Sequence, residues 1–161
     1  MIVDIRRILY CTDLSQNAVY AFEYAVQLAK LTGAKIHMLH VVEELSADAK
    51  LALQAYVMDS TSRDKALHNR TKQAEAHLKE RLDTFWAEQD EEYRKVRDQI
   101  VSVAAYEAYP AEQILKSAIE HDCDLVVMGA HEKGLSHNFL GSVAKSVLRR
   151  SRIPTLIVPL P

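Results

Sequence analysis

Five short apolar runs, separated by longer amphipathic stretches, constrain the fold of this chain more than any other feature. The runs are rich in branched residues and are predicted to be strands at residues 7–12, 35–42, 100–106, 124–128 and 154–158. Strands alternating with helices are typical of βα units around a parallel sheet. Because the runs are apolar on both faces, we expect helices on both sides of the sheet. The pattern predicts one α/β domain, residues 1–161, with a doubly wound five-stranded sheet.

Three of the predicted helices have recognisable ends. The first is predicted at residues 17–31, with Ser15 as its N-cap and Gly33 as its left-handed terminator. Another begins at Pro110, whose fixed φ suits a first helical position, and the last follows Ser142, which is expected to cap it. Two sets of residues form the predicted buried sides of the first two helices: Phe22, Val26 and Ala29, and Ile114, Leu115, Ala118 and Ile119.

The connection between the second and third predicted strands, residues 43–99, is longer than one helix requires. Apolar residues recur in it at helical spacing: Leu67, Ala74, Leu78, Leu82 and Phe85. They predict one long helix laid on the sheet, because the stripe is too short to favour a coiled coil. The preceding insertion at residues 46–61 is moderately apolar, and a short helix, a lid and a dimer contact are its alternatives.

Composition narrows the classes of function. Twenty Lys and Arg against 22 Asp and Glu leave a net charge of -2, without the positive excess that binding a phosphate backbone uses, so nucleic acid is not an expected partner. Cys11 and Cys123 are too few for a disulfide framework. No apolar stretch approaches the roughly 18 residues of a membrane span, and no signal segment is recognised. We therefore expect a cytoplasmic protein with no membrane partner.

Three of the four glycines, Gly129, Gly134 and Gly141, fall between the fourth predicted strand and the last predicted helix. A strand, a glycine-bearing loop and a helix N-terminus opened by Gly141 and Ser142 bring exposed N–H groups and a favourable dipole to a phosphate. The same pattern also fits a loop that needs glycine only for its turns, followed by a helix that needs only a cap. Position by itself leaves both interpretations open.

This loop does not match the more specific motifs for phosphate binding, zinc binding or a serine nucleophile. Gly129 and Gly134 have the glycine spacing of a Walker A motif, but Leu135 stands where the lysine is required. Leu135 also occupies the position of the second histidine that a zinc-protease helix would need. No GxSxG elbow and no general base beside a nucleophile is recognised, so no catalytic residue and no metal ligand are predicted. One irregular metal site remains as an alternative, formed by His131, Glu132 and His137.

Polar residues follow the first predicted strand just as glycine ends the fourth. Ligands of an open parallel sheet bind outside the carboxyl ends of its strands, where the strand order reverses. With the order 3-2-1-4-5, Thr12 and Asp13 would share one crevice with Gly129, and Val41 and Val42 would wall it. For Asp13, a stabilising interaction with the dipole of the first helix is an equally good interpretation.

Segments along nearly the whole chain resemble the universal stress protein family. They are ILYCTDLS, HVVE, YPAEQIL, DLVVMGAH and LGSVAKSVLRRSRIPTLIVP. The resemblance implies a Rossmann-like five-stranded fold and, for the nucleotide-binding class, a glycine loop that reads Gly, two residues, Gly, nine residues, Gly-Ser. It implies these nucleotide-binding residues: Thr12, Asp13, Val41, Met128, Gly129, His131, Gly141, Ser142 and Val143.

The resemblance also implies a role for each side of the site. Asp13, with Thr12, would contact adenine or ribose, and the backbone of Val41 would read the adenine edge. The residues from Gly141 to Val143 would provide amides to phosphate. The second family glycine falls on Glu132, and one loop residue is missing, so Glu132 is predicted to tune the site against triphosphate.

We predict a homodimeric regulatory protein that binds ATP or another adenine nucleotide, AMP or ADP, with Mg²⁺ as a candidate counterion and little or no turnover. Residues 154–158 are predicted to form the dimer, because an apolar edge strand invites another strand and the resemblance implies such pairing. A nucleotide-free interaction module that acts through the long helix is the alternative. An enzyme of the related nucleotide-hydrolase superfamily is a third candidate, and protein partners are not predicted.

Overall fold

The computed structural model describes residues 2–56, 59–130 and 140–161 of the chain. Within these residues it contains a five-stranded parallel sheet in the order β3-β2-β1-β4-β5. The strands are β1 (Arg7–Thr12), β2 (Lys35–Glu43), β3 (Ile100–Ala108), β4 (Leu125–Gly129) and β5 (Thr155–Val158). The predicted strand order is confirmed, and each strand lies within about two residues of its predicted ends.

Helices cover both faces of the sheet. They are α1 (Gln16–Thr32), α2 (Ala47–Tyr56), α3 (Ser60–Ala87), the short α4 (Glu91–Arg94), α5 (Pro110–Glu120) and α6 (Ser142–Arg150), with a 3-10 turn at Lys95–Gln99. Buried side chains of α1 and α3 form one apolar layer with the sheet, and those of α5 and α6 form the other. The predicted doubly wound arrangement is confirmed.

Local signals set the ends of α1 as the sequence predicts. The Ser15 side chain accepts a hydrogen bond from the N–H of Ala18 at 3.3 Å. Gly33 adopts a φ of 75° and donates its N–H to the carbonyl of Ala29 at 2.9 Å. A left-handed residue at this position suits glycine, which lacks the Cβ that would otherwise be strained.

Two predictions about the later helices are wrong. Ile119 is 70% exposed, because the inner side of α5 follows the helical steps of three and four residues from Ile114 to Ser117 and Ala118. Ser142 does not cap α6. Gly141 is the N-cap, because its backbone is extended (φ -61°, ψ 156°) and the helix begins with Ser142 as its first residue. The N–H of Gly141 donates to the carbonyl of Ala130 at 2.8 Å.

The long connection between β2 and β3 contains two main helices. The predicted long helix is α3, which contacts β2 and β3 and buries Leu78, Phe85 and Trp86 in the core. Burial therefore confirms a surface helix laid on the sheet, although the side chain of Leu67 lies outside what the structure describes. The insertion forms α2, in which no residue is buried.

Candidate functional site

A cleft of about 480 Å³ opens at the carboxyl ends of β1, β2 and β4. β1 pairs with β2 on one side and with β4 on the other, so the strand order reverses beside β1. Open α/β sheets bind ligands at this kind of position. The volume lies within the range of small-molecule sites, roughly 300 to 1,000 Å³. This cleft is the candidate site.

Most residues predicted from the sequence lie around the cleft. Those that line it are Thr12, Asp13, Val41, Val42, Met128, Gly129, Gly141 and Val143. Ser142 stands in the first turn of α6 between two lining residues and is exposed, without being a lining residue itself. The predictions for His131, Glu132, Gly134 and His137 fall outside the described residues.

The loop after β1 holds Asp13 through two side-chain turns. The Thr12 hydroxyl accepts the N–H of Leu14 at 3.0 Å, and Oδ1 of Asp13 accepts the N–H of Ser15 at 2.9 Å. Side chains that bond the backbone two residues later stabilise such turns. Asp13 itself is exposed, so its second carboxylate oxygen is accessible to a ligand.

The carbonyl of Val41 is directed toward the cleft by strand alternation. The β1–β2 ladder ends at the pair of Thr12 and His40, whereas β2 continues to Glu43 beside β3. Lys35 donates its N–H to the β1 side, and alternate residues of a strand share a side, so Val41 also faces β1. The next N–H along the β1 side belongs to Leu14, which turns to the Thr12 hydroxyl instead. The Val41 carbonyl thus presents an acceptor at the rim of the sheet.

The opposite wall combines a glycine with a helix N-terminus. Apart from Gly129 and its two chain neighbours, no described residue has an atom within 4 Å of the position that a Cβ would take on Gly129. The bond from Gly141 to Ala130 brings the start of α6 back to the end of β4. The partial positive charge of a helix N-terminus favours anionic groups such as phosphate.

Several lining residues escaped the sequence analysis. Among them are Asn17, His40, Glu43, Pro110 and Ile114. The available signal for His40 and Glu43 was their place at the carboxyl end of a strand, within two residues of Val41. The other three residues lie near the starts of helices: Asn17 in α1, and Pro110 and Ile114 in α5. Their distance from the cleft depends on how each helix docks on the sheet.

The cysteine in the cleft is a thiol rather than a nucleophile. Burial raises the pKa of Cys11 well above its ordinary value, and the neighbouring Cys123 adds to the shift. Cys11 therefore stays protonated at neutral pH, and only the thiolate is strongly nucleophilic. Within the described ranges, no three His, Cys, Asp or Glu side chains are grouped so that they could hold a metal ion.

A family model described as the universal stress protein family matches residues 4–159. The chain belongs to this family. The family expected from the sequence segments is therefore confirmed. For the part of the chain that is described, no helix is long and apolar enough to cross a membrane.

Two curated universal stress proteins are similar to this chain over most of their lengths. Universal stress protein MJ0577 of Methanocaldococcus jannaschii is 28% identical over 163 residues, which cover 98% of this chain and 97% of the relative. Universal stress protein G of Shigella flexneri is 28% identical over 151 residues, which cover 91% and 89%.

Solved structures share the fold of this universal stress protein. The structure of MJ0577 matches with a TM-score of 0.72 and 24% identity, and 99% of each chain is covered. A universal stress protein in complex with cAMP matches with a TM-score of 0.56 and 19% identity, and 98% of each chain is covered. At these identities the likeness concerns the fold.

Proposed function

We propose that the cleft binds an adenine nucleotide as a regulatory ligand, with little or no turnover. The observation that carries the proposal is the convergence of three binding elements on one cleft: the Asp13 loop, the Val41 carbonyl and the N-terminus of α6. A universal stress protein of the same fold holds cAMP, which is an adenine nucleotide. This supports the choice of ligand class.

Each element suits a different part of the nucleotide. The Val41 carbonyl is an acceptor for the exocyclic amino group of adenine, and the Asp13 carboxylate is an acceptor for a ribose hydroxyl. The N-terminal amides of α6, beginning near Gly141, provide donors for phosphate. Burial keeps the thiol of Cys11 protonated, which fits a ligand-binding cleft better than one built for attack by a cysteine thiolate.

Calorimetry with the purified protein tests the proposal. We expect AMP, ADP, ATP or cAMP to bind, and GMP to bind more weakly, because the guanine carbonyl would meet the Val41 carbonyl where adenine presents its amino group. Native mass spectrometry should detect any adenine nucleotide that copurifies. If no adenine nucleotide binds, the proposal is wrong and the nucleotide-free interaction module becomes the better interpretation. Titration with and without Mg²⁺ tests whether the cation contributes.

We also propose a homodimer formed through β5. The carbonyl of Pro154 accepts the N–H of Val126 in β4, and the carbonyl of Val158 accepts the N–H of Ala130 just after β4, both at 2.9 Å. Alternation therefore directs the backbone of Thr155 and Ile157 to the open side. An edge with unpaired backbone groups can pair with the same edge of a second copy across a two-fold axis.

A cytoplasmic location is the last part of the proposal. Both cysteines, Cys11 and Cys123, are buried free thiols. Thiols persist in this form in a reducing compartment. The family assignment makes a stress-response role the natural context for a regulatory ligand.

A further inference from the structure

α3 holds two loops of the cleft from behind through arginine side chains: the loop after β1, and the loop that begins at the end of β2. No described residue of α3 lines the cleft. Nη2 of Arg70 donates to the carbonyl oxygen of Glu43 at 3.1 Å. Nη1 of Arg81 donates to the carbonyl oxygen of Leu14. Glu43 is a lining residue at the end of β2, and Leu14 lies in the loop that positions Asp13.

The spacing of the two arginines places them on one side of a single helix. Arg70 and Arg81 are eleven residues apart, which at 3.6 residues per turn is about three turns and roughly 16 Å along the axis. α3 is continuous over Ser60–Ala87 and packs on the sheet between them through Leu78. The two loops are therefore tied to one rigid element.

Arg70 makes a two-sided contact that suits a guanidinium. Besides the Glu43 carbonyl, it forms an ion pair with Glu107, with Nη1 3.1 Å from Oε1 at an angle outside hydrogen-bond geometry. The side chains are 32% and 20% exposed, so the pair is only partly screened by water. The planar group thus links the ends of β2 and β3, which the single ammonium of a lysine would do less well.

Arg81 acts at a loop that faces two cavities. A small cavity of about 30 Å³, which Arg81 lines, lies between α3 and the loop after β1. Thr12, Ser15 and Ala18 line both this cavity and the cleft. The loop therefore has one face toward the cleft and the other toward α3.

We propose that α3 is coupled allosterically to the cleft through Arg70 and Arg81. This inference rests on the proposed nucleotide function and adds a regulatory element to it. A ligand that orders the two loops stabilises α3, and the arginines of α3 raise the affinity for that ligand by the same coupling factor, because linkage is reciprocal. The surface that responds to the ligand is then α3, a helix that does not contact the nucleotide.

Hydrogen exchange followed by mass spectrometry tests the coupling, with AMP as the probe. In the unmodified protein, saturating AMP should slow exchange of α3 amides at residues 66–84 by about fivefold or more. The test variant combines Arg70→Met, Glu107→Leu and Arg81→Met, so that no carboxylate is left without its partner. It should bind AMP about fivefold or more weakly and lose the added protection of α3 at saturation.

Two further variants separate positioning from general destabilisation. Arg63→Met on the same helix removes an arginine whose side chain makes no hydrogen bond or ion pair with another described residue, so coupling should persist. Arg81→Lys keeps the charge and a donor and should retain most of the coupling. Bound AMP without added protection of α3 in the unmodified protein overturns the inference, as does full coupling in the triple variant.

Failure of the proposed function gives a different result. If the unmodified protein binds no nucleotide, the proposed function is overturned. The role of the arginines in holding the loops is then tested in the free protein. Exchange at residues 13–18 and 41–45 should then be faster in the triple variant and unchanged in Arg63→Met. Equal exchange in all three proteins would show that the arginines do not hold the loops.

Discussion

Nδ1 of His40 lies 2.8 Å from the carbonyl oxygen of Thr12, across the last register pair of β1 and β2. A carbonyl oxygen only accepts hydrogen bonds, so Nδ1 carries the proton. Nε2 of the neutral ring then holds a lone pair. His40 lines the cleft, and this bond leaves the unprotonated Nε2 as the ring nitrogen that is available to a ligand.

The tautomer of His40 is the first testable consequence. At a pH where the ring is neutral, ¹⁵N-edited NMR should show a protonated Nδ1 and an unprotonated Nε2. His40→Phe should weaken AMP binding, because it removes both the bond to Thr12 and the lone pair. A neutral ring protonated at Nε2 would contradict the hydrogen bond.

Gly129→Ala separates binding from stability. Beyond its two chain neighbours, the added methyl would meet no atom of a described residue within 4 Å, and Gly129 does not adopt a positive φ. The free energy of unfolding should therefore change by less than about 1 kcal/mol. The methyl occupies space in the cleft, and AMP affinity should fall about tenfold.

The matched control is Gly33→Ala at the end of α1. Its φ of 75° is strained for alanine, so unfolding should become easier by about 1 kcal/mol while AMP affinity stays the same. Calorimetry and urea denaturation of the two variants measure both quantities. Unchanged affinity in Gly129→Ala would remove Gly129 from the binding surface.

Asp13→Asn tests the charge of the loop without removing its turn. In the parent protein the N–H of Ser15 lies 2.9 Å from Oδ1 of Asp13, and the asparagine oxygen can still accept this bond. The change in the free energy of unfolding should therefore stay below about 1 kcal/mol. AMP affinity should fall, because a charged acceptor bonds a ribose hydroxyl more strongly than a neutral one. Asp13→Ala, which loses the turn bond as well, should be less stable than Asp13→Asn.

The pH dependence of stability should report His37. Its ring stacks on His121 with centroids 4.1 Å apart, and its Nδ1 lies 2.7 Å from Oγ of Ser102. Burial, aided by the charges of His121 and Arg7, lowers the pKa of His37 below its ordinary value of 6.5. The unfolded chain therefore binds this proton at a higher pH than the folded chain.

The free energy of unfolding should consequently decrease as the pH falls below about 6.5, until the folded protein also binds the proton. Urea denaturation of the parent and of His37→Asn between about pH 7.5 and 5 measures the difference. We expect a flatter profile for His37→Asn, and the same slope in both proteins would contradict a lowered pKa.

Thr155→Pro tests the β5 dimer. Proline removes an N–H that faces the open side of β5, and it is tolerated near the start of an edge strand. Analytical ultracentrifugation should show a dimer for the parent and a monomer for the variant over a range of concentrations. A variant that remains dimeric would place the interface elsewhere.

The sequence by itself determined the elements whose signals are local. Branched apolar runs predicted all five strands, and Ser15 and Gly33 predicted the ends of α1, because caps act within a few residues of the helix that they end. It also placed Asp13, Val41 and Gly129 at strand ends, which a parallel sheet gathers along one edge. The order 3-2-1-4-5, expected for a doubly wound sheet, is the order of the structure.

Only the tertiary structure decided which side chains meet. Ser117 rather than Ile119 lies on the buried face of α5, because the way the helix docks on the sheet selects that face. Gly141 rather than Ser142 is the N-cap of α6, and the N–H of Gly141 bonds to the carbonyl of Ala130, eleven positions earlier in the chain. The bonds of Arg70 to Glu43 and of Arg81 to Leu14 join segments far apart in sequence, and no local pattern encodes such distances. Packing between helix and sheet sets them.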